Sequence, residues 1–185
     1  MPSRRHSAIS SLTLAFASDP VCRWLWSDPG EYLSMFPQFA QAFGGRAFAR
    51  ESAFVDGDLH GAALWLPPGE GPDERALVNI VEAVESDALR STTFELLEAM
   101  SEHHPQGPHW YLPLIGVEPA AQGRGIGHVL MKPVLDRCDA SGMPAYLEST
   151  NPRNLPFYER LGFRTAGCID VGDCPPIFPM LRAPS

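Results

Sequence analysis

Residues 110–130, WYLPLIGVEPAAQGRGIGHVL, constrain the fold more than any other stretch. Trp110–Val117 is an apolar run rich in aromatic and β-branched side chains, the pattern of a buried strand. Glu118-Pro119 then stops the strand, because proline has no N–H to give to a ladder. Gln122-Gly123-Arg124-Gly125-Ile126-Gly127 follows, after which His128, Val129, Leu130, Val134 and Leu135 recur at helical spacing. A strand, a glycine-rich loop and a helix start in that order build an anion site. The glycines let successive backbone N–H groups turn inward, and the unpaired amides of the helix N-terminus add positive potential. The implied ligand carries phosphate.

Spacing narrows the choice of ligand. A P-loop needs Gly-x-x-x-x-Gly-Lys-Ser/Thr, which the chain lacks. A dinucleotide fold needs Gly-x-Gly-x-x-Gly, and counted from Gly123 its third glycine position is His128. Glu148, about twenty residues on, imitates the ribose-binding acid of that fold, yet residues 118–122 separate strand from glycines where a dinucleotide fold turns at once. Gln-x-x-Gly-x-Gly, at Gln122, Gly125 and Gly127 after a strand ending Val-x-Pro, resembles the pyrophosphate loop of the GNAT superfamily of acyl-CoA-dependent N-acyltransferases. A second block resembles the same family: a strand at residues 145–150, then Asn154, Phe157 with Tyr158, and Gly162-Phe163 in a short helix closed by a glycine C-cap. The two blocks span about residues 109–170.

The resemblance implies an α/β fold: a mixed, mostly antiparallel central sheet flanked by helices, in one N-acetyltransferase domain over residues 1–185. GNAT chains start with a strand, whereas residues 1–7 here are polar and basic. The first strand is therefore expected to be missing or very short, leaving a sheet edge for a homodimer or a packed loop to cover. The implied co-substrate is acetyl-CoA, with no metal. Backbone groups of Ile115, Gly116 and Val117, splayed by a bulge, would hold the pantetheine arm and polarise the thioester carbonyl. The amides of Gln122, Gly123, Arg124, Gly125, Ile126 and Gly127 would hold the pyrophosphate. The Arg124 side chain reads equally well as a charged neighbour of that group or as a solvent-facing arginine. Asn154 would touch the pantetheine or serve a turn.

Acyl transfer to an amine needs a neutral amine, a donor to the developing oxyanion and a proton for the departing thiolate. Tyr158 is the candidate acid, and Glu148 the first candidate base, ahead of His104, Asp170 and a chain of waters. Two other readings stay open: a non-catalytic acyl-CoA-binding module, and a Rossmann-type nucleotide-dependent enzyme using Glu148 on a ribose. The acceptor is a small-molecule or peptide amine, not further resolved by the sequence.

The chain of 185 residues fits one domain, with 44% hydrophobic residues and a formal net charge of -8, which argues against nucleic acid or an anionic membrane as partner. Cys22, Cys138, Cys168 and Cys174 form no C-x-x-C pair and read as reduced, mostly buried thiols of a cytoplasmic protein. The histidines show no metal-ligand spacing, and no transmembrane run exists. Residues 4–18 could pass for a signal peptide, but Ile9, Leu12 and Phe16 lie at helical spacing as one face of a first helix. Asp19-Pro20 and Asp28-Pro29 read as caps of a second and third helix, the third running to Gly44-Gly45 with Pro37 expected to kink or split it. The resemblance implies that Asp28, Glu31 and Tyr32 could face an amine, although a cap and a solvated charge in a first helical turn suffice to explain the two acids. Residues 46–55 and 59–66 read as a hairpin about Asp56-Gly57-Asp58, residues 77–84 and 89–104 as two helices, and Pro133 as a bend in the helix after the glycine loop. Residues 164–171 read as a strand, and residues 175–181 as one confined by its prolines to an edge or to irregularity.

Overall fold

Each of the first three helices begins at a side chain that accepts the amides its first turn leaves free. The computed structural model describes residues 3–185. Ser3 caps α1 (Arg4–Ala15), Asp19 caps α2 (Pro20–Leu25) and Asp28 caps α3 (Pro29–Gly44), the last two with proline at the first helical position. Helix α3 is not split at Pro37. The carbonyl that Pro37 frees belongs to Leu33, four residues back and exposed, where water can satisfy it.

The hairpin is shorter on its first arm than its composition suggests. Residues 45–48 form a 3-10 turn, and only Ala53–Val55 (β1) pairs, antiparallel to Gly61–Leu66 (β2). Arg46 and Phe48 go into the turn because the Ser52 amide bonds to the Ala47 carbonyl and Glu51 takes a left-handed φ of 52°. The connection is held by Asp56, whose carboxylate accepts the Gly61 and Asp58 amides. Two helices, α4 (Glu74–Glu82) and α5 (Asp87–His103), lead to β3 (Trp110–Val117). Helix α6 (Ile126–Ser141), β4 (Ala145–Ser149), α7 (Leu155–Arg160), β5 (Arg164–Thr165) and β6 (Phe178–Arg182) complete the chain. Pro133 lies inside α6, and the carbonyl it frees, on Val129, is again on an exposed residue.

The six strands run in the order β1-β2-β3-β4-β6-β5, antiparallel except for β3 against β4. Among the described residues no strand precedes α1; Met1 and Pro2 of the basic leader lie outside them. Alternation along the strands sorts the core into two layers. Ala62, Leu64, Leu66 and Tyr146 face α1, α3 and α4, while Ala63, Trp65, Ala145 and Leu147 face α6 and α7. In β3, however, Tyr111 and Leu114 share one face and Leu112 takes the other. The inversion comes from an extra residue: Leu64 pairs with Leu114, but Leu66 pairs with Tyr111. That is a bulge at Leu112-Pro113, where proline has no N–H to leave unpaired.

The last strands depart from expectation. β5 has only two residues, followed by an isolated bridge from Ile169 to Ile177, and β6 lies inside the sheet between β4 and β5. Pro179 is tolerated there because its carbonyl, which accepts the Ala166 amide at 2.8 Å, faces the end of β5. The missing N–H would point the same way, so the β5 ladder stops where Pro179 cannot answer. Arg182 ties this corner down: its guanidinium grips both Asp139 oxygens at 2.8 Å, and its Nε donates to the Leu161 carbonyl.

The Arg182 guanidinium and the Ser185 amide hold the Asp139 carboxyl well below its ordinary range. A depressed carboxyl contributes stability above its unfolded pKa, roughly 3.9, and loses it as pH falls toward the folded value. Melting temperatures of the native protein and Asp139→Asn should therefore differ by a constant amount from pH 5 to 7 and converge below about pH 4.

Candidate active site

The glycine loop leaves a row of backbone donors free. Gly123 and Gly125 adopt φ of 77° and 82°, the left-handed region that side chains resist, so the chain can double back into α6. Helix α6 then starts without a side-chain cap, and its first turn bond runs from the Val129 amide to the Gly125 carbonyl. Among the described residues no group accepts from the amides of residues 123–128. The loop is braced from behind, by Gln122 Nε2 on the Val117 carbonyl at 3.1 Å and Arg124 Nη2 on the Ala120 carbonyl at 2.9 Å. Arg124 thus turns onto its own loop and does not line the groove, whereas Gln122, Gly123, Gly125, Ile126 and Gly127 do. At Gly127 any Cβ would press on the Phe157 ring at 3.1 Å, so the bare backbone keeps α6 against α7.

The sheet opens beside this loop. β3 and β4 pair only from Trp110 with Ala145 to Leu112 with Leu147; beyond the Pro113 bulge Leu114, Ile115, Gly116 and Val117 stay paired with β2 but have no strand on the side of β4. A groove of about 920 Å³ runs from Ile115, Gly116 and Val117 past the loop to α7. Helix α1 closes one side, packed so tightly that a Cβ on Gly116 would stand 2.6 Å from that of Ala15. A second cavity, of about 110 Å³, lies behind the opening, walled by Trp26, Phe39, Phe43, Leu97, Met100 and Ile177. The two meet at Phe16, Ile115, Asn154 and Tyr158.

Tyr158 stands at this junction, and Glu148 lines the cavity behind it from a different element. Glu148 shares a face of β4 with Tyr146 and lines the apolar cavity with its side chain only 2% exposed. A carboxylate so buried costs several kcal/mol unless partnered; His104 Nε2 lies 3.2 Å from its Oε1 and the Tyr111 and Tyr146 phenols lie close to the same group, yet Oε1 and the Tyr146 hydroxyl make no hydrogen bond. Burial pushes both phenols up, and the carboxylate charge adds to it, so they stay protonated beside the acid. Tyr158 projects from α7, buried against Phe163, and its hydroxyl bonds to none of the described residues. Burial, with the nearby Asp19 charge, raises its phenol too. Asn154 precedes α7 without capping it by its side chain, and lines both spaces.

Other residues bear on the site in ways the sequence did not single out. Asp19 caps α2 with one oxygen and accepts the Thr150 hydroxyl at 2.6 Å with the other, joining the helix over the cavity to the end of β4. Arg153, in the 3-10 turn before α7, and Arg160, at the end of α7, both line the groove. They supply the positive charge that Arg124 does not. Asp28 serves as a cap, while Tyr32 is buried and donates to the Thr13 carbonyl; neither they nor Glu31 line the cavities. Asp170 lies outside both spaces. The four cysteines are unpaired, Cys168 alone being exposed, and burial raises Cys138 and Cys174 to about 11, which keeps them as inert thiols. Asp56, Asp58 and His60 bring ligand atoms within 4.8 Å of one another, but Asp56 already serves two turn amides.

A splayed, mostly antiparallel sheet flanked by helices, its opening beside an uncapped, glycine-led helix, defines an α/β protein. Comparison with known proteins gives the family. The sequence matches the acetyltransferase (GNAT) family over residues 14–163, and the chain belongs to it. An uncharacterised N-acetyltransferase of Schizosaccharomyces pombe is 29% identical over 175 residues, which cover 84% of this chain and 69% of that protein. A Corynebacterium glutamicum structure of the histone acetyltransferase HPA2 and related acetyltransferase is 26% identical with a TM-score of 0.65, covering 100% of this chain and 95% of that one. Arylalkylamine N-acetyltransferase 2 of Aedes aegypti shares the fold at a TM-score of 0.68 and 14% identity, over 98% and 94% of the two chains. Among the described residues no helix is long and apolar enough to cross a membrane.

If the free amides grip a diphosphate, Gly125→Glu should weaken acetyl-CoA binding by at least about tenfold, roughly 1.4 kcal/mol, through its left-handed φ and its charge. Arg124→Ala should stay within about threefold by the same scale. Isothermal calorimetry on folded variants measures both.

Proposed function

We propose that residues 1–185 form a single N-acetyltransferase domain that moves an acetyl group from acetyl-CoA to a primary amine by direct attack in a ternary complex. The observation that carries this reading is the meeting of the groove and the cavity at Tyr158, with Glu148 on the cavity side. The free amides of residues 123–128, flanked by Arg153 and Arg160, suit a diphosphate, and the unpaired edge of Ile115, Gly116 and Val117 suits an amide-bearing arm lying as a surrogate strand. When bound, acetyl-CoA supplies the acyl group as an activated thioester.

The rest of the chemistry belongs to the chain. An aliphatic amine with a pKa near 10.4 is only about 0.04% neutral at pH 7, so a base must take its proton. Glu148 is the carboxylate in the cavity wall and fills that role. Backbone N–H groups of β3 beyond the bulge polarise the acyl carbonyl. Tyr158 donates to the departing sulfur: its raised pKa keeps the phenol protonated throughout the working range, as a donor requires, at some cost in acidity. No metal takes part in this reading.

The walls of the cavity also suggest the acceptor. Trp26 packs edge-on to Phe39 at 5.8 Å, and Phe39 stacks on Phe43 at 5.0 Å, giving a rigid aromatic lining with one carboxylate. Such a space favours a small amine with a compact apolar substituent over a polyamine or an aminoglycoside, whose further cations would be buried without partners.

Thiol release from acetyl-CoA, followed with a thiol reagent across a panel of amines, tests the proposal. Arylalkyl and short alkyl amines should turn over ahead of polyamines, and Tyr158→Phe should lower kcat by about tenfold or more with acetyl-CoA affinity retained. Saturable acetyl-CoA binding without thiol release on any amine would make the chain a binding module instead.

A further inference from the structure

The buried base is connected to the surface by a line of histidines that the acetyl-transfer chemistry has not used. His104 is the C-cap residue of α5, and its ring is held edge-on or tilted between Tyr111 and Tyr146, with centroids 4.6 Å from each. Its Nε2 lies 3.2 Å from Glu148 Oε1, a buried oxygen that has no hydrogen-bond partner, and its Nδ1 faces His109 Nε2 at 3.3 Å. His109 Nδ1 in turn lies 2.9 Å from the Gly107 carbonyl. Glu148 is sealed in the cavity, whereas both rings are partly exposed at the far end.

Counting protons along this line fixes its polarity. A carbonyl oxygen only accepts, so His109 Nδ1 carries a hydrogen. A neutral His109 then presents a bare Nε2, and His104 must donate to it from Nδ1. A neutral His104 consequently turns a bare Nε2 toward Glu148, and the two acceptors meet with no proton between them. The line is complete only when it holds one proton more than its neutral rings and carboxylate supply. It is built to receive a proton at Glu148. The negative end of the α5 dipole adjoins the ring that would bear positive charge in transit.

We propose that His104 and His109 relay the acceptor amine's proton from Glu148 to water. The amine N–H bond breaks as the Glu148 O–H bond forms; that O–H breaks as His104 Nε2–H forms; His104 Nδ1–H breaks as His109 Nε2–H forms; and His109 Nδ1–H breaks as water takes that proton, after which rotation of the two rings returns hydrogen to both Nδ1 positions. Each step moves one proton and no electrons are gained or lost. The two histidines are positioning residues, acting through Glu148. The proposal rests on the reading of Glu148 as the base, and predicts that the relay returns the carboxylate to its ionised form between turnovers without admitting water to the aromatic cavity.

Two measurements test it, separably from the reading it rests on. Long-range 1H–15N spectra of the ligand-free protein, assigned with His104→Gln and His109→Gln, should find hydrogen on Nδ1 of both neutral rings; a bare Nδ1 on either overturns the relay. Turnover of acetyl-CoA with 2-phenylethylamine should fall about tenfold or more in kcat for His104→Gln, at unchanged KM for acetyl-CoA, and recover severalfold with added imidazole. A His104→Gln enzyme at the native rate, indifferent to imidazole, overturns the relay while leaving Glu148 as base. Full activity in Glu148→Gln would instead remove the base itself, and the relay with it.

Discussion

The parting of β3 from β4 after Leu112 and Leu147 is the constraint on which the rest of the structure depends. Two parallel strands that could pair to their ends are held apart by a single extra residue, at a position where proline has no donor to waste. The bulge also inverts which side of the sheet each β3 residue faces, so Leu112 goes to the α6 layer and Leu114 to the α1 layer. Backbone groups that would have made a ladder are left on the wall of an opening, and an unsatisfied strand edge inside a protein is tolerated only where something else can satisfy it.

Everything around the opening keeps it from collapsing. Gly116 admits α1 to contact distance on one side, Gly127 admits the Phe157 ring on the other, and Asp19 ties the helix above the cavity to the strand end below it through Thr150. The loop amides are not answered by a side-chain cap because the N-cap is Gly125, which has no side chain to accept them. The unsatisfied donors are therefore a property of the backbone path, and would persist through most changes of side chain nearby.

How far this was legible in the sequence follows from the range of the forces involved. The strand at Trp110–Val117, the loop and the start of α6 are local: apolar content, proline and glycine set them within a few residues of themselves. The caps at Asp19 and Asp28 were readable for the same reason. The arms of strands were not. Residues 46–52 and 166–171 have strand-like composition, yet pairing there depends on partners distant in sequence: the Ser52 bonds to Trp65 and Ala47 in one case, and Pro179 opposite Ala166 in the other. Two prolines misled for a related reason. Pro37 does not split α3, and Pro179 sits in a strand inside the sheet because its missing N–H would face the end of the short β5.

The site divides along the same line. Glycines, Asn154 and Tyr158 lie in local motifs, while the electrostatics are long-range. Nothing in the neighbourhood of Arg124 says that its guanidinium folds back on Ala120, or that Arg153 and Arg160 face the groove from another element. Glu148 illustrates the point most sharply. On sequence alone it is a glutamate near a strand end, as consistent with water as with chemistry; in the fold it is enclosed by two tyrosines and a histidine from β3, β4 and the end of α5. A strand end that served only structure would gain by exposing such a group, since burying a carboxylate costs more than a half-exposed histidine returns. That imbalance, sustained in the wall of the apolar cavity, is the physical ground on which the proposal places Glu148 in the reaction rather than in the scaffold.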